Sequence, residues 1–248
     1  MLTEQRQEVI LNMINDKGSV TVSELRDIFG ISESTARRDL NELDKLGRLT
    51  KVFGGAIASE GPVIATELSV IQKLEVNIDE KRRIAKYAAA LIKPDDFVFI
   101  DAGTTTECMV DYISCREATY VTNAVLHGRK MAQKGLRVVM IGGELKGITE
   151  AVIGSQAVLD IGKYHFTKGF FGTNGISISN GFTTPDPNEA MTKSVALKHS
   201  TKGYILADED KFRKTSSVAF GAFEDAVIIT NTAPLGHYSN CKNIIVAE

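Results

Sequence analysis

The sequence predicts an α/β protein in two parts: an amino-terminal winged helix-turn-helix domain, followed by a carboxy-terminal domain built on an open α/β sheet. Two observations carry this prediction. Apolar residues recur at helical spacing in three short segments at the amino end. After residue 95, short uninterrupted apolar runs alternate with helical or glycine-rich segments, which is typical of strands buried on both faces. A chain of 248 residues is long enough for one small and one medium-sized domain.

Three short helices are predicted at the amino end. The first covers residues 3–16, with Thr3 as its N-cap, and the second carries an apolar stripe over residues 22–29. Ser32 is a good N-cap for a third helix that ends near Leu46-Gly47. Three helices with tight glycine-containing links indicate a helix-turn-helix unit.

A β-hairpin is predicted next, because β-branched and aromatic residues flank Gly54-Gly55. Three helices followed by a hairpin describe a winged-helix arrangement. We therefore assign residues 1–57 to the winged helix-turn-helix domain, residues 58–77 to a linker and residues 78–248 to the second domain.

The second domain begins with an alanine-rich amphipathic helix over residues 79–92. Seven apolar runs then predict the strands of an open, mostly parallel sheet. These runs are residues 97–100, 119–121, 137–141, 169–172, 203–207, 226–230 and 243–247.

Composition limits the classes of function. The net charge of −2 excludes a general polycation, so any nucleic-acid binding must come from a local basic patch. The sequence has neither a membrane-length apolar run nor a signal-peptide pattern, so we expect a cytoplasmic protein that does not bind membranes. Three cysteines without a CxxC pair and four scattered histidines predict neither disulfides nor a metal site, and we expect no cofactor.

The third helix has two distinct faces on a helical wheel. Ala36, Leu40 and Leu43 lie on one side, whereas Ser34, Arg38 and Asn41 lie opposite, with Arg37 at the edge of that group. Guanidinium and amide groups suit base edges in the major groove, and a helix amino terminus can meet phosphate oxygens. The alternative is an ordinary solvated helix, since acids slightly outnumber bases in residues 1–55.

A longer motif favours DNA binding. The run Ser32-x-x-Thr35-Ala36-Arg37-Arg38-Asp39-Leu40, with Arg6 before it and Phe53-Gly54-Gly55-Ala56 after it, resembles the amino-terminal signature of the DeoR family of bacterial transcriptional regulators. The resemblance implies that the helix from Ser32 reads DNA and that the Gly-Gly element is the wing tip. The candidate DNA-binding residues are Ser32, Ser34, Thr35, Arg37, Arg38, Asn41, Arg48 and Lys51.

Polar residues follow several predicted strands. The strand 97–100 ends in Asp101, and Gly103 and three threonines then lead into a helix, a geometry that favours an anion such as phosphate. In open α/β sheets ligands bind beyond the carboxyl ends of strands, so polar groups after the other strands fit one shared pocket. Each turn alone could instead be a strand end without a ligand.

The second domain also resembles the DeoR effector domain, whose fold is related to ribose-5-phosphate isomerase and which binds phosphorylated sugars. The candidate effector-binding residues are Asp101, Gly103, Thr104, Thr105, Thr106, Thr122, Asn123, Gly142, Asn174, Glu189, Lys193, Asp208 and Lys211. The three threonines would hold phosphate, Lys211 or Lys193 would add positive charge, and Asp101 and Glu189 would accept sugar hydroxyl protons. Residues 181–190 resemble the fructose-operon repressors, which implies fructose 1-phosphate as the effector.

The hypothesis that follows is a repressor of a sugar-utilisation operon that binds double-stranded operator DNA as a homo-oligomer, a dimer or a tetramer, and is relieved by a phosphorylated sugar. The alternatives are a sugar-phosphate isomerase with an accessory DNA-binding domain and a protein-interaction module.

Overall fold

The computed structural model describes residues 1–46, 48–58, 63–64, 69–234 and 236–247. The chain divides into two compact units, Met1–Pro62 with Ala233–Lys242, and Val63–Thr232 with Asn243–Glu248. The predicted linker, residues 58–77, is only partly described, because residues 59–62 and 65–68 lie outside these ranges. The predicted domain boundaries stay a prediction.

The amino-terminal unit combines helices with a small antiparallel sheet of strand order β1-β3-β2. Its elements are α1 (Thr3–Lys17), β1 (Ser19–Thr21), α2 (Val22–Phe29), α3 (Glu33–Lys45), β2 (Leu49–Val52) and β3 (Gly55–Ala58), with a 3-10 helix at Gly236–Asn240. Apolar residues from all three helices and the sheet form its core, including Ile10, Leu25, Leu40 and Leu49. The predicted three helices and hairpin are confirmed.

The residues that cap the three helices agree only in part with the predicted ones. Ser32 caps α3 as predicted, but Leu2 occupies the N-cap of α1, so the prediction that Thr3 caps this helix is wrong. The cap of α2 was not predicted: Thr21 and Glu24 form a reciprocal capping box there. Helix α3 ends at Lys45 with Leu46 as its C-cap, which agrees with the predicted end near Leu46-Gly47; Gly47 itself lies outside the described residues.

Glycine fixes the geometry of the wing, which is the β2–β3 hairpin. Gly54 has φ 81°, a left-handed conformation that suits glycine in a tight turn. A Cβ at Gly55 would lie 2.1 Å from the backbone oxygen of Val20, so β3 can pair with β1 only if this position has no side chain. Strand β1, which the sequence analysis did not predict, thereby joins the hairpin to the helices.

The carboxy-terminal unit alternates strands and helices. Its elements are β4 (Val63–Ile64), α4 (Val70–Leu74), α5 (Ile78–Ala90), β5 (Phe97–Ile100), α6 (Thr104–Tyr112), β6 (Thr119–Thr122), α7 (Val125–Gln133), β7 (Arg137–Met140), β8 (Glu144–Lys146), β9 (Ala151–Ile153), α8 (Ser155–Ile161), β10 (Phe166–Gly172), β11 (Gly175–Ser177), β12 (Gly181–Thr184), α9 (Pro187–Lys198), β13 (Ser200–Leu206), β14 (Thr215–Ser216), β15 (Val218–Gly221), β16 (Val227–Thr230) and β17 (Ile244–Val246). Short 3-10 helices lie at Glu209–Lys211 and Phe223–Asp225.

The main sheet has the strand order β17-β16-β13-β10-β5-β6-β7, and all of its pairings are parallel. Each of the seven predicted apolar runs forms one of these strands, which confirms the predicted open parallel sheet. From β5 the strands are added outward in one direction to β7, and from β10 they are added in the opposite direction to β17. The strand order therefore reverses between the parallel neighbours β5 and β10. Such a switch point opens a crevice at the carboxyl ends of the two strands.

Three smaller sheets were not predicted. Strands β11, β12 and β15 form an antiparallel sheet, β8 and β9 form a hairpin, and β14 pairs with β4. Within the described part of the chain, no helix combines the length and apolar character needed to cross a bilayer.

Candidate functional sites

Helix α3 exposes the side predicted to face DNA. Ser34, Arg37, Arg38 and Asn41 are exposed, whereas Ala36, Leu40 and Leu43 on the opposite side are buried. At the start of the helix, the Ser32 hydroxyl accepts a hydrogen bond from the backbone N–H of Thr35 at 3.2 Å. The helical wheel therefore gave the correct orientation of this helix. The contacts of these residues with DNA stay a prediction.

The wing is tied to the exposed side of α3. The ammonium of Lys51 on β2 donates to the side-chain oxygen of Asn41 at 2.6 Å, and its backbone N–H donates to Asp44 at 2.9 Å. Arg48 is exposed just before β2, and Phe53 at the wing tip is fully exposed. Two of the predicted DNA-binding residues, Asn41 of the helix and Lys51 of the wing, are therefore in direct contact.

A buried ion pair that the sequence analysis did not predict fixes α3 against α1. Arg6 donates to both carboxylate oxygens of Asp39, at 2.6 and 3.1 Å, and the two residues are 7% and 0% exposed. The hydrogen bond from Arg6 and its charge stabilise the Asp39 carboxylate in the core. Asp39 therefore does not present a free negative charge beside Arg37 and Arg38.

A cavity of about 220 Å³ lies at the switch point of the main sheet. Its wall includes the turns after β5, β10 and β13, together with residues of α4, α5 and α9. Eight of the predicted effector-binding residues line it: Gly103, Thr104, Thr105, Asn174, Glu189, Lys193, Asp208 and Lys211. The carboxyl ends of distant strands thus converge as the strand-end argument predicted, although the binding roles of these residues are untested.

The first turn of α6 presents backbone donors to the cavity. The first helical hydrogen bond runs from Glu107 N–H to Gly103 oxygen at 2.8 Å, so the N–H groups of Thr104 and Thr105 have no partner within the helix. Thr106 differs from its two neighbours, since its hydroxyl is buried within 2.7 Å of Asp101 oxygen and 2.8 Å of Gly103 oxygen. It stabilises the loop from inside and does not line the cavity.

Thr122, Asn123 and Gly142 also lie away from the described cavity wall. The Thr122 hydroxyl donates to Ile100 oxygen at 2.6 Å, and Asn123 accepts a hydrogen bond from Ala102 N–H at 3.1 Å. Both side chains therefore stabilise the turn after β5 through its backbone and do not line the described cavity wall.

Asp101 and Lys193 form a buried pair at the base of the cavity. The Lys193 ammonium donates to the Asp101 carboxylate and, at 3.2 Å, to Gly172 oxygen, while Gly172 N–H donates to the same carboxylate at 3.2 Å. Burial raises the pKa of Asp101, and the positive charge of Lys193 opposes that shift. Asp101 is 1% exposed and is not part of the described cavity wall, so it holds the β5 and β10 turns together.

Two further predicted residues on the wall, Glu189 and Asn174, accept hydrogen bonds from neighbouring side chains. Glu189 accepts hydrogen bonds from the Thr149 hydroxyl at 2.6 Å and the Lys146 ammonium at 3.1 Å. Asn174 accepts one from Thr184 at 3.3 Å. These contacts orient both side chains while leaving them at the surface of the cavity.

Several wall residues were not predicted. They include the cations Lys73, Lys81 and Lys214 and the hydroxyls Thr149 and Thr173. Lys73 and Lys81 come from helices that precede the sheet, where the rule about strand ends gives no signal. Thr149 lies in the turn of an unpredicted hairpin, so the pattern of strand ends could not find it either.

His127 lies behind the α6 loop and not in the main cavity. Its Nε2 is 3.2 Å from the Thr106 hydroxyl, and burial lowers the pKa of the imidazole to about 3. The ring is therefore neutral at physiological pH. Within the described residues, the structure brings together no group of histidine, cysteine and acidic side chains that could hold a metal ion.

A helix-turn-helix unit and an α/β unit with a polar cavity define a class of protein, the transcriptional regulators that carry a separate sensor domain. Family models match both parts of the chain, the DeoR-like helix-turn-helix domain over residues 6–61 and the DeoR C terminal sensor domain over residues 76–232. The chain belongs to the DeoR family, as the sequence motifs implied.

Curated relatives match over nearly the whole chain. An uncharacterized HTH-type transcriptional regulator, FruR of Bacillus subtilis, is 39% identical over 100% of this chain and 98% of its own length. The lactose phosphotransferase system repressor of Streptococcus mutans is 35% identical over 89% of this chain and 88% of its own. Among solved structures, ribose 5-phosphate isomerase A of Methanocaldococcus jannaschii matches at 15% identity over 55% of each chain, with a TM-score of 0.42.

Proposed function

We propose that the protein is a DNA-binding repressor of a sugar-utilisation operon and that a phosphorylated sugar relieves repression, with fructose 1-phosphate as the first candidate. One observation carries the proposal: a cavity lined by lysines and by the first turn of α6 belongs to the same chain as a helix that exposes Arg37, Arg38 and Asn41. The names of the relatives, a regulator and a repressor of a sugar phosphotransferase system, support it.

The DNA-binding part follows from the exposed side of α3 and the wing. Arg38 and Asn41 would contact base edges in the major groove, while Arg48 and Lys51 would contact phosphates. Helix-turn-helix proteins usually bind two half-sites as symmetric oligomers, so we expect a dimer or tetramer on double-stranded operator DNA. A protein with this role works in the cytoplasm.

The effector part follows from the chemistry of the cavity wall. A phosphate group would accept hydrogen bonds from the N–H groups and hydroxyls of Thr104 and Thr105, where the helix dipole favours negative charge. Asn174, Glu189 and Asp208 would hydrogen-bond the sugar hydroxyls. The wall thus offers cations and donors for an anion and acceptors for a polyol.

An isomerase activity finds less support at this site. Aldose–ketose isomerisation needs a base within reach of the substrate carbon. Asp101 is buried and paired with Lys193, and Glu189 is held by Thr149 and Lys146. We therefore propose that the cavity binds its ligand without turnover.

The proposal is tested by fluorescence anisotropy. The DNA is a duplex that binds the purified protein and has been selected from a pool of random sequences. The protein is titrated with and without fructose 1-phosphate, fructose 6-phosphate, ribose 5-phosphate and unphosphorylated fructose. A coupling of about 1–3 kcal/mol would lower DNA affinity roughly 5- to 150-fold for the active sugar phosphate only. Unchanged DNA affinity with every sugar phosphate, or steady isomerisation of one of them, would contradict the proposal.

A further inference from the structure

The connection between β16 and β17 differs from the other crossovers of the main sheet. Neighbouring parallel strands need a crossover connection, which is usually an α-helix. Helix α6 serves this purpose between β5 and β6, and α7 between β6 and β7. In residues 231–243, apart from residue 235, which is not described, the structure has a 3-10 helix at Gly236–Asn240 and no α-helix. Residues 233–242, here called the crossover segment, belong to the amino-terminal unit.

The crossover segment packs on α1. Its 3-10 helix contacts α1, and Tyr238 in that helix is 7% exposed, whereas Ser239 and Asn240 are exposed. Burial of an aromatic ring supplies much of the contact energy of so short a helix. Helix α1 is in turn fixed to α3 by the buried pair of Arg6 and Asp39. A displacement of the crossover segment would therefore be passed through α1 to α3.

The start of the crossover segment is connected to the cavity wall by one buried side chain. Asn231 directly follows β16 and is 6% exposed, and its side-chain oxygen accepts a hydrogen bond from Glu209 N–H at 3.1 Å. Glu209 lies in the turn after β13, where Asp208 and Lys211 line the cavity. The Asp208 carboxylate accepts a hydrogen bond from Asp210 N–H at 3.1 Å, which stabilises this turn. A ligand that displaces the turn would therefore also act on Asn231, because loss of a buried hydrogen bond is costly.

The backbone between Asn231 and the 3-10 helix is restricted. The Asn231 amide donates a hydrogen bond to the Thr232 hydroxyl at 3.1 Å. Pro234 has a fixed φ and disfavours the helical conformation at Ala233. A short and restricted connection transmits a displacement, whereas a flexible linker would absorb it.

We propose that the crossover segment transmits occupation of the cavity to the DNA-binding surface. A sugar phosphate held at Asp208 and Lys211 would displace the turn after β13, and Asn231 would pass this displacement to the segment and so to α1 and α3. The segment has two states, docked on α1 as in this structure or released, and the effector and the operator favour different states. This inference rests on the proposed function, because it explains how a sugar phosphate in the cavity changes DNA affinity.

The test lengthens both ends of the crossover segment in the full-length protein. Insertion of Gly-Ser-Gly-Ser after Thr232 and again after Lys242 changes no side chain of either unit. Anisotropy titrations with the selected duplex then measure DNA affinity with and without fructose 1-phosphate. We expect the effect of the sugar phosphate, about 5- to 150-fold in the wild type, to fall to within about twofold in this variant. The duplex alone and fructose 1-phosphate alone should each bind as they do to the wild type, which shows that both units are folded.

Matched controls separate the route from a general disturbance. The same insertion after Gly135, in the exposed turn between α7 and β7, should retain the full effect of fructose 1-phosphate on DNA affinity. Tyr238→Ala removes the buried ring of the 3-10 helix and should reduce this effect as the double insertion does. Asn240→Ala, at an exposed position of the same 3-10 helix, should retain it.

The possible results distinguish this inference from the proposed function. An undiminished effect of fructose 1-phosphate in the double-insertion variant would overturn the role of the crossover segment and leave the proposed function intact. Equal loss of the effect after the Gly135 insertion would also overturn that role, because any insertion would then suffice. A wild type whose DNA affinity no sugar phosphate changes would refute the proposed function and this inference with it.

Discussion

The buried pair of Arg6 and Asp39 should dominate the stability of the amino-terminal unit. In an Arg6→Met variant the apolar stem is largely retained, but the Asp39 carboxylate, at 0% exposure, loses both hydrogen bonds and its counter-ion. Removal of one partner of a buried pair costs about 3–5 kcal/mol. Because domains are stable by only about 5–15 kcal/mol, this is a large fraction of the total.

Hydrogen exchange measured by mass spectrometry on the full-length protein suits this prediction, since it follows α1 and α3 separately from the other unit. A loss of about 3 kcal/mol raises the population of the open state roughly 100-fold, and exchange in peptides from residues 3–17 and 33–45 should accelerate accordingly. Gln7→Met is the matched control, because Gln7 makes an exposed hydrogen bond to Glu42 at 2.8 Å on the same pair of helices.

Two results would refute the reasoning. Exchange in α1 and α3 of Arg6→Met within about threefold of the wild type would mean that Asp39 finds another partner or water. Equal destabilisation by Gln7→Met would mean that any change between these helices has the same effect. The double variant Arg6→Met/Asp39→Leu should recover much of the lost stability, because no charge is left buried.

Three further predictions concern single side chains. Arg38→Ala should weaken binding to the selected duplex by about 1–3 kcal/mol in anisotropy titrations and leave fructose 1-phosphate affinity unchanged; equal DNA affinity would remove Arg38 from the contact surface. Thr105→Val should weaken fructose 1-phosphate binding in calorimetry by about 1 kcal/mol. Thr106→Val should instead lower the thermal midpoint, because the Thr106 hydroxyl donates hydrogen bonds to buried backbone oxygens. The reverse pattern would contradict these two assignments. Burial opposes ionisation of Asp96, but hydrogen bonds led by that from Lys168 outweigh it and hold the pKa of Asp96 below its ordinary value. The stabilisation of the folded state by this carboxylate is complete above the unfolded pKa of about 4 and is lost as pH falls through the lower folded value. Asp96→Asn should therefore lower the thermal midpoint at pH 7 and differ progressively less from the wild type below about pH 4. A difference in thermal midpoint that stays constant across that range would contradict this prediction.

The sequence predicts the main sheet well because its central strands are largely buried on both faces. A run such as Phe97–Ile100 must then be apolar at every position, and this pattern is visible without any knowledge of the strand's neighbours. The amphipathic helices are predictable for a similar reason. Strands such as Gly175–Ser177 are short and pair antiparallel with distant segments, so their local sequence carries little signal.

The candidate cavity was only partly predictable, because a local pattern shows where a side chain lies but not which way it turns. Thr105 and Thr106 are adjacent and chemically identical, yet one lines the cavity and the other bonds to backbone oxygens. Lys81 lies within an ordinary charged helical segment, and only tertiary contact reveals that it is buried. The pairing of Arg6 with Asp39 spans 33 positions and is equally invisible in the sequence.

The close approach of Gly55 to Val20 has a thermodynamic consequence for any duplex that the protein binds. With no room for a side chain between β3 and β1, the hairpin is held in register with the helical part before DNA arrives. The conformational entropy of ordering the wing is then lost during folding and is not subtracted from the free energy of association. The spacing between the hairpin and α3 is thus fixed before any duplex is bound.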